Sequence, residues 1–293
     1  MDIDALNAFI AVATAESFSV AAQQLHLTQP AVSKRIAALE SRLNHALFDR
    51  LGKRVALTQA GEALLPNAIR ILQNIRDTER EIKELSGEIM GSLSVATSHH
   101  IGLHHLPPVL RAFVARHKNV NLKFEFLDSE HAHSRIIHGE CELAIVTLAP
   151  KLEAPLQAQA LWHDPLEFVV SRHHPLANSG KISLAELSKL PAILPDLNTY
   201  TGRLVKGCFD NAGLPLQLNM ATNYLETVKM IVSVGLGWSV LPRTLIDENL
   251  IKLVVPGVTL SRSLGVINHQ KRTLGNAARA FYAVLEQHAN GDH

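Results

Sequence analysis

The sequence is poor in cysteine and has no long hydrophobic run. Its 293 residues include only Cys141 and Cys208, too few for a disulfide framework and typical of a reducing compartment. No segment reaches the length of a transmembrane span. The apolar segment NAFIAVATA follows Asp2 and Asp4 rather than basic residues, unlike a signal peptide. We therefore expect a cytoplasmic protein that has no membrane partner.

Motifs of common catalytic sites are also missing from the sequence. There is no G-x-S-x-G nucleophile elbow, no H-E-x-x-H zinc motif and no glycine-rich phosphate loop. The 16 histidines have no assignable nucleophile or orienting partner beside them. We therefore expect a protein that is not an enzyme and that carries no cofactor.

Residues 17–43 predict two short amphipathic helices joined by a tight turn at His26 and Leu27. Thr28 suits the N-cap of the second helix, and Pro30 falls in its first turn, where a missing N–H costs nothing. This is the layout of a helix-turn-helix that places one helix in the major groove of DNA. The alternative is an ordinary solvated helix pair in a bundle. The second helix has an apolar stripe made of Val32, Ile36, Leu39 and Leu43.

The face that this stripe leaves free is polar and basic. Its N-terminal end is where a recognition helix reaches base edges, and Arg35 can reach a phosphate. Residues 17–60 contain six basic side chains and two acidic ones, although the whole chain has a net charge of only +1. Such a local excess of positive charge is typical of a nucleic-acid contact. Gln29, Ser33 and Lys34 are predicted to read bases, and Pro30 is included among the predicted DNA-binding residues of this helix.

Residues 47–61, LFDRLGKRVALTQAG, predict a two-stranded wing with a turn at Gly52. Arg50, Lys53 and Arg54 give this wing a basic surface that suits DNA phosphates. The alternative is a solvated hairpin that makes no contact with DNA.

The run FSVAAQQLHLTQPAVSKRIAALESRLNHALFDRLGKRVALTQAGEALL resembles the N-terminal domain of the LysR-type transcriptional regulators. The most specific pieces are AA-x-x-L-H-L-TQPAVS-x-x-I-x-x-LE, LFDR and LT-x-AGE, and the chain length and downstream layout fit as well. The resemblance implies a winged helix-turn-helix domain over residues 1–60 that binds a double-stranded DNA operator. It also implies a homodimer, and a homotetramer built from such dimers.

Residues 61–90 predict a long helix used for dimerisation. Apolar side chains recur at alternating steps of three and four residues, as in a coiled coil, while most other positions are charged. A narrow apolar seam of this kind favours packing against the same helix of a second copy of the chain. The alternative is that the helix packs on its own domain. The predicted dimerisation residues are Leu64, Ala68, Ile71, Ile75, Ile82 and Leu85.

Residues 91–293 alternate strand-like and helical segments, which indicates a mainly parallel α/β sheet. A break in this pattern predicts two lobes joined by two crossing strands, with lobe I at about 92–161 and 266–293 and lobe II at about 162–265. Periplasmic solute-binding proteins have this architecture, and the effector domain of the LysR-type regulators is similar to it. The predicted fold class is therefore α+β: a winged helix-turn-helix, a linker helix and a two-lobed α/β effector domain.

Polar side chains recur where strands end and helices begin, the edge at which α/β sheets bind ligands. Hydroxyl groups and helix N-termini in one cleft suit a small anion, and histidines there add positive charge when protonated. The alternative for each hydroxyl residue is a simple helix cap. A metal-responsive regulator that uses His99, His100 and His104 is a second alternative, although no cysteine or carboxylate cluster completes that set. The predicted effector-binding residues are Thr97, Ser98, His99, His100, Thr147, Thr199, Thr201 and Asn223.

Two features depart from the family's usual pattern. Small hydroxyl residues normally precede an Ile-Gly pair at the first strand end, whereas His99 and His100 stand there in this chain. The segment GCFDNAG, with Cys208, resembles the second cysteine site of the peroxide-sensing members, but the residue nine positions earlier is Thr199. A disulfide switch is therefore not expected, and Cys208 should pack as a small apolar residue.

The sequence thus predicts a LysR-type regulator whose operator binding is modulated by a small-molecule effector. A solute-binding module without a regulatory role would not explain residues 1–60. An architectural DNA-binding protein would not need a second, two-lobed domain.

Overall fold

The computed structural model describes residues 2–51, 54–84, 88–152 and 154–289. The chain divides into two compact units, Met1–Gly87 and Glu88–His293. The long linker helix therefore belongs to the N-terminal unit. Within the described ranges, no helix combines the length and apolar character that a membrane span requires.

The N-terminal unit is built around the helices α1 (Ile3–Ala15), α2 (Phe18–Gln24) and α3 (Gln29–Leu43). Ser17 caps α2 by accepting a hydrogen bond from the amide of Val20, and Thr28 caps α3 in the same way. The three helices pack around Phe9 and Ile36, neither of which has any exposed surface. The helix-turn-helix predicted from the sequence is confirmed.

A two-stranded antiparallel wing follows α3, formed by β1 (Phe48–Leu51) and β2 (Arg54–Leu57). The ring of Phe48 packs against Phe9, with 5.4 Å between the ring centroids. Glu40 of α3 accepts a hydrogen bond from the amide of Leu47 at 2.8 Å. The aromatic contact holds the wing against α1, and the charge-assisted hydrogen bond holds it against α3.

The helix α4 (Gln59–Glu84) begins where the hydroxyl of Thr58 accepts a hydrogen bond from the amide of Gly61. Ala68 is fully buried in the core of the N-terminal unit, and Leu64 and Ile71 pack partly against that core. This half of the predicted seam therefore packs on its own unit. Because Ala68 has no exposed surface, it is not available to a partner helix, which corrects its place among the dimerisation residues.

The second half of α4 has a different environment. Ile75 is half-buried, and Ile82 keeps 63 % of its surface exposed. Leu85 lies outside the described residues. Among the described residues of α4, Ile82 is therefore the large apolar side chain that is left exposed.

The second unit is organised around a mixed sheet, and the mainly parallel sheet predicted from the sequence is wrong, because several of the strands pair antiparallel. The strands are β3 (Gly91–Thr97), β4 (Val120–Phe126), β5 (Leu143–Thr147), β6 (Leu156–Ser171), β7 (Ala192–Leu194), β8 (Leu218–Ala221), β9 (Ser239–Pro242), β10 (Leu250–Leu253) and β11 (Leu260–His269). In the part of the chain that the structure describes, the order is β10-β6-β11-β5-β3-β4, with β9 paired to β6, and β7 and β8 form a separate parallel pair. Strands β3, β4 and β5 are parallel to one another.

Helices cover this sheet in two groups that correspond to two lobes. Lobe I has a core around Leu93, Phe113 and Phe281, and lobe II has a core around Phe209 and Trp238. The lobe I helices are α5 (His99–His104), α6 (Leu106–Arg116), α7 (Ser129–His138) and α11 (Asn276–Ala289), and those of lobe II are α8 (Leu184–Leu187), α9 (Tyr200–Asn211) and α10 (Leu225–Ser233).

Two long antiparallel strands, β6 and β11, connect the lobes. Strand β11 pairs with β5 of lobe I, while the second half of β6 pairs with β9 and β10 of lobe II. The register between β6 and β11 shifts after Leu264, next to Gly265. A Cβ atom on Gly265 would lie 2.2 Å from the carbonyl oxygen of Gln159, so the close approach of the two strands requires glycine. The predicted two-lobed domain with crossing strands is confirmed.

Two helices, separated by a break, follow β3. The first, α5, ends at His104, and the second, α6, begins at Leu106. Pro107 and Pro108 explain the break, since proline lacks an N–H and suits the first turn of a new helix. As a result α5 begins at His99, directly after β3, and carries its histidines to the carboxyl end of that strand.

Candidate functional site

The N-terminal part of α3 presents the residues predicted to read bases. Gln29, Pro30 and Lys34 are exposed and Ser33 is half-buried. The side-chain amide of Gln29 donates a hydrogen bond to the hydroxyl of Ser33 at 2.9 Å, one helical turn away. Pro30 and Lys34 are also one turn apart, so the four residues lie on one side of the helix.

The residues predicted to contact phosphates differ from one another in their surroundings. Arg35 forms an ion pair with Asp4 of α1, with 2.9 Å between Nη2 and Oδ2. Its charge is therefore shared with a carboxylate of its own unit, a contact that the sequence analysis missed. Lys53 lies outside the described residues, as do the side chains of Arg50 and Arg54.

A second candidate site lies in the cleft between the two lobes of the C-terminal unit. Three helices of eight or more residues, α7, α9 and α10, begin at this cleft, and the short α5 begins there as well. A small cavity of about 50 Å³ at this point is lined by the first turns of these helices, where the helix dipole favours a negative charge. Seven of the eight predicted effector residues line it: Ser98, His99, His100, Thr147, Thr199, Thr201 and Asn223.

Thr97 is the predicted effector residue that the structure places elsewhere. It is fully buried, and its hydroxyl donates a hydrogen bond to the carbonyl oxygen of Ile145 at 2.8 Å. Alternate side chains of a strand point to opposite faces of the sheet. The side chain of Thr97 connects β3 to the neighbouring strand β5. Thr97 is therefore a structural residue of the sheet.

Several hydroxyl groups at the cleft act as helix caps. Ser98 accepts a hydrogen bond from the amide of Ile101, and Thr199 accepts one from the amide of Gly202. Thr199 also donates to the carbonyl oxygen of Asp196 at 2.6 Å, which uses its only proton. Ser98 and Thr199 therefore act as helix caps, which is the alternative role considered for the hydroxyl residues of the cleft.

A buried ion pair lies on the crossing strands beside the cleft. Arg262 of β11 and Asp164 of β6 face each other across the two strands, with 2.7 Å between Nε and Oδ2. Their side chains are only 9 % and 3 % exposed. Arg262 also donates a hydrogen bond to the hydroxyl of Thr201 at 2.8 Å, which connects the crossing strands to α9. Arg262 could not be identified from the sequence, because no short-range pattern relates it to a partner 98 residues away.

A larger cavity of about 590 Å³ adjoins the small one. Thr147, Tyr200 and Arg262 line both. This volume lies in the range of small-molecule sites, roughly 300–1,000 Å³. Arg203 and Arg262 are the charged residues among its described lining residues, whereas the small cavity also contains the carboxylates of Asp128 and Glu130. Both arginines are also paired with carboxylates that do not line the larger cavity, Arg203 with Glu130 at 3.5 Å and Arg262 with Asp164 at 2.7 Å. The larger cavity is therefore the less acidic of the two.

Hydrogen bonds close the two lobes against each other at the edge of these cavities. Glu130 of α7 accepts a hydrogen bond from the amide of Tyr200 at 2.6 Å, and the hydroxyl of Tyr200 lies 3.1 Å from Nδ1 of His133. Burial raises the pKa of Glu130 above its usual value. Because Tyr200 lines both cavities, a ligand bound in either cavity would lie beside the contact that joins the lobes.

The histidines at the cleft do not act as the predicted cationic pair. His100 is buried, and burial, followed by the nearby charge of Arg262, lowers its pKa to about 2. Its imidazole is therefore neutral at physiological pH. The ring of His99 stacks on Phe126 and meets the edge of the Tyr224 ring, at centroid distances of 5.0 and 4.6 Å. The positive charge at the cleft comes from arginine.

Comparison with known proteins gives a consistent result for both units. Residues 3–62 match the model of the bacterial regulatory helix-turn-helix proteins of the lysR family, and residues 86–290 match that of the LysR substrate binding domain. The RuBisCO operon transcriptional regulator of Allochromatium vinosum is 30% identical over 281 residues, which cover 94% of this chain and 92% of that protein. An uncharacterized HTH-type transcriptional regulator of Azotobacter vinelandii is 64% identical over 108 residues, 37% of this chain and 75% of that protein.

Solved structures of the same architecture span the whole chain. Full-length CbnR, crystallised with its target DNA, is 21% identical, with a TM-score of 0.66 and coverage of 98% of this chain and 100% of that chain. A full-length OxyR variant of Pseudomonas aeruginosa is 21% identical, with a TM-score of 0.70 and coverage of 99% and 95%. The present chain belongs to the LysR family of transcriptional regulators, with a DNA-binding helix-turn-helix domain and an effector-binding domain.

Proposed function

We propose that this regulator binds its operator through the N-terminal end of α3 and that a small organic anion in the larger cavity modulates this binding. The observation that carries the effector class is the pair of arginines, Arg203 and Arg262, in a cavity of about 590 Å³ whose described lining residues include no carboxylate. A carboxylate or oxyanion group of the ligand would receive charge-assisted hydrogen bonds from one or both guanidinium groups.

The first turn of α9 adds to this preference for an anion. Tyr200 and Arg203 lie in that turn, and the helix N-terminus carries partial positive charge. Ser261 and Ser263 of the crossing strand β11 also line the cavity and supply hydroxyl groups to it. A ligand here would contact lobe I, lobe II and the crossing strands at once. It would therefore favour one arrangement of the lobes over others.

Exchange of Arg203 for glutamine tests the effector class. Arg203 is half exposed, so Arg203→Gln should fold normally. Loss of one charge-assisted hydrogen bond should weaken the binding of an anionic ligand about tenfold or more. The measurement is a thermal-shift screen of the full chain against small carboxylates and inorganic oxyanions, followed by calorimetric titration of the ligands that raise the melting temperature.

Arg172→Gln is the matched control for this experiment, because Arg172 is an exposed arginine of the same lobe outside the lining of either cavity. An equal loss of affinity in both variants would contradict the proposed site. A screen in which neutral compounds, and no anions, stabilise the protein would contradict the proposed effector class.

Replacement of Lys34 by alanine tests the DNA-binding surface. We propose that Gln29, Ser33 and Lys34 contact bases and that Arg35, Arg50, Lys53 and Arg54 contact phosphates. Lys34→Ala should weaken binding by about tenfold, and the slope of log K against log salt should fall by about one if the ammonium group neutralises a phosphate. The measurement is fluorescence anisotropy across a salt series, with a duplex selected from a random pool by the wild-type protein.

Arg111→Ala, an exposed position of α6 in the C-terminal unit, is the control for Lys34→Ala. Affinity and salt slope equal to those of the wild type in Lys34→Ala would remove Lys34 from the contact surface.

We also propose that the regulator acts in the cytoplasm as a homodimer, joined through the second half of α4, and that two dimers form a homotetramer. A dimer supplies two recognition helices, which suits the paired half-sites of a partly palindromic operator. The exposed Ile82 supports this assignment, since a large apolar side chain on a long charged helix favours a partner.

A further inference from the structure

Three metal-ligating side chains from both lobes meet at one edge of the cleft. His100 and His104 lie one turn apart on α5 of lobe I, and Glu226 lies in the first turn of α10 of lobe II. Nε2 of His104 is 3.1 Å from Oε1 of Glu226, and Nδ1 of His100 is 4.0 Å from the same oxygen. One ligand atom from each residue lies within 4.8 Å of the other two.

His100 gives an independent reason to look for a ligand at this point. Its side chain is only 3 % exposed, and neither ring nitrogen has a hydrogen-bond partner among the described residues. Buried polar atoms are nearly always satisfied in folded proteins, so an imidazole in this state calls for an explanation.

We propose that His100, His104 and Glu226 form a binding site for a divalent transition-metal ion of the Zn²⁺ type, shared between the two lobes. Two imidazole nitrogens and one carboxylate oxygen are ligands that Zn²⁺, Co²⁺ and Ni²⁺ accept, and three protein ligands leave a coordination position for water. Ions that require an all-oxygen shell, such as Ca²⁺, do not suit this set.

The site differs from the histidine cluster expected from the sequence. His99 is not part of it, because its ring is held between Phe126 and Tyr224. The missing carboxylate comes from Glu226, which is 122 residues from His104 in the chain and therefore gives no spacing signal. The site is also separate from the large cavity, none of whose lining residues belongs to it. The metal proposal consequently does not depend on the anionic effector.

A structural consequence follows from the position of the three ligands. Because α5 belongs to lobe I and α10 to lobe II, a bound ion would connect the lobes directly. Only the arrangement of the lobes that brings Glu226 to the two histidines would bind the metal tightly, so the metal would stabilise that arrangement.

Metal titration of the untagged full-length protein tests the site. Co²⁺ binding is followed by its visible absorption, and competition with Zn²⁺ then gives the Zn²⁺ affinity. We expect one equivalent of metal per chain in the wild type. His104→Asn and Glu226→Gln should each weaken binding about 10- to 100-fold or abolish it, as loss of a ligand does in metalloproteins. Both side chains are about one-third exposed, so these variants should fold.

His131→Asn is the matched control. His131 also pairs with a carboxylate, that of Asp128 at 2.6 Å, but its side chain is 75 % exposed. Its metal affinity should equal that of the wild type. Absence of stoichiometric metal binding in the wild type would overturn the proposal, as would affinities unchanged in both site variants. An equal loss in His131→Asn would assign the bound metal to the general histidine content of the chain and would overturn it too.

Discussion

Replacement of Asp164 by alanine should lower the free energy of unfolding of the effector-binding unit by about 3–5 kcal/mol, the cost of removing one partner of a buried ion pair. The guanidinium of Arg262 would remain only 9 % exposed but without its carboxylate. It would keep the hydrogen bond to Thr201, which does not compensate for an unpaired charge. The measurement is urea denaturation of the full chain, monitored by a signal from the effector-binding unit such as Trp238 fluorescence.

The double variant Asp164→Ala with Arg262→Met separates stability from ligand binding. Removal of both charges should recover most of the lost stability, because an apolar replacement of a buried pair is often neutral. The same variant should still lose affinity for the anionic ligand, since it lacks one of the two cavity arginines. If the free energy of unfolding of Asp164→Ala lies within about 1 kcal/mol of the wild-type value, the ion pair is well hydrated. That result would contradict its structural role.

Replacement of Ile82 by aspartate should convert the protein to monomers at concentrations where the wild type is dimeric. Ile82 is 63 % exposed, so a charge there costs little within one chain. In a dimer two carboxylates would be buried in one seam, which should raise the dissociation constant roughly 100-fold or more. Sedimentation velocity over a dilution series measures this effect.

Ile137→Asp provides the control for the dimer experiment. Ile137 is an exposed isoleucine of α7, at 42 % exposure, in the other unit of the chain. It should leave the association state unchanged. A dimer that survives both Ile82→Asp and Ile75→Asp would show that α4 does not form the interface.

The sequence was informative where the structure depends on neighbouring residues. The caps at Ser17 and Thr28 and the apolar stripe of α3 are local patterns, and each is present in the structure. The position of the cleft could also be predicted, because the carboxyl ends of parallel strands meet helix N-termini at one edge of a sheet. For that reason Ser98, Thr147 and Thr201 line one cavity although they are far apart in the chain.

Contacts between distant segments could not be predicted from one sequence. Arg262 occupies an ordinary strand position, and only the register of β6 and β11 places it opposite Asp164. Glu226 meets His104 only because the two lobes close against each other. In α4 the periodic pattern does not identify the partner of the helix, because a buried face looks alike whether it packs on its own core, as for Ala68, or on a second chain.

The paired strands β6 and β11 also determine how the effector-binding domain can deform. A ribbon of two hydrogen-bonded strands twists and bends at little cost, but sliding one strand along the other would break every hydrogen bond between them. The close contact at Gly265 and the salt bridge of Arg262 resist such sliding further. Rotation of one lobe about the axis of this ribbon is therefore the motion that costs the domain least. We expect a ligand in the cleft to twist one lobe relative to the other rather than to slide it.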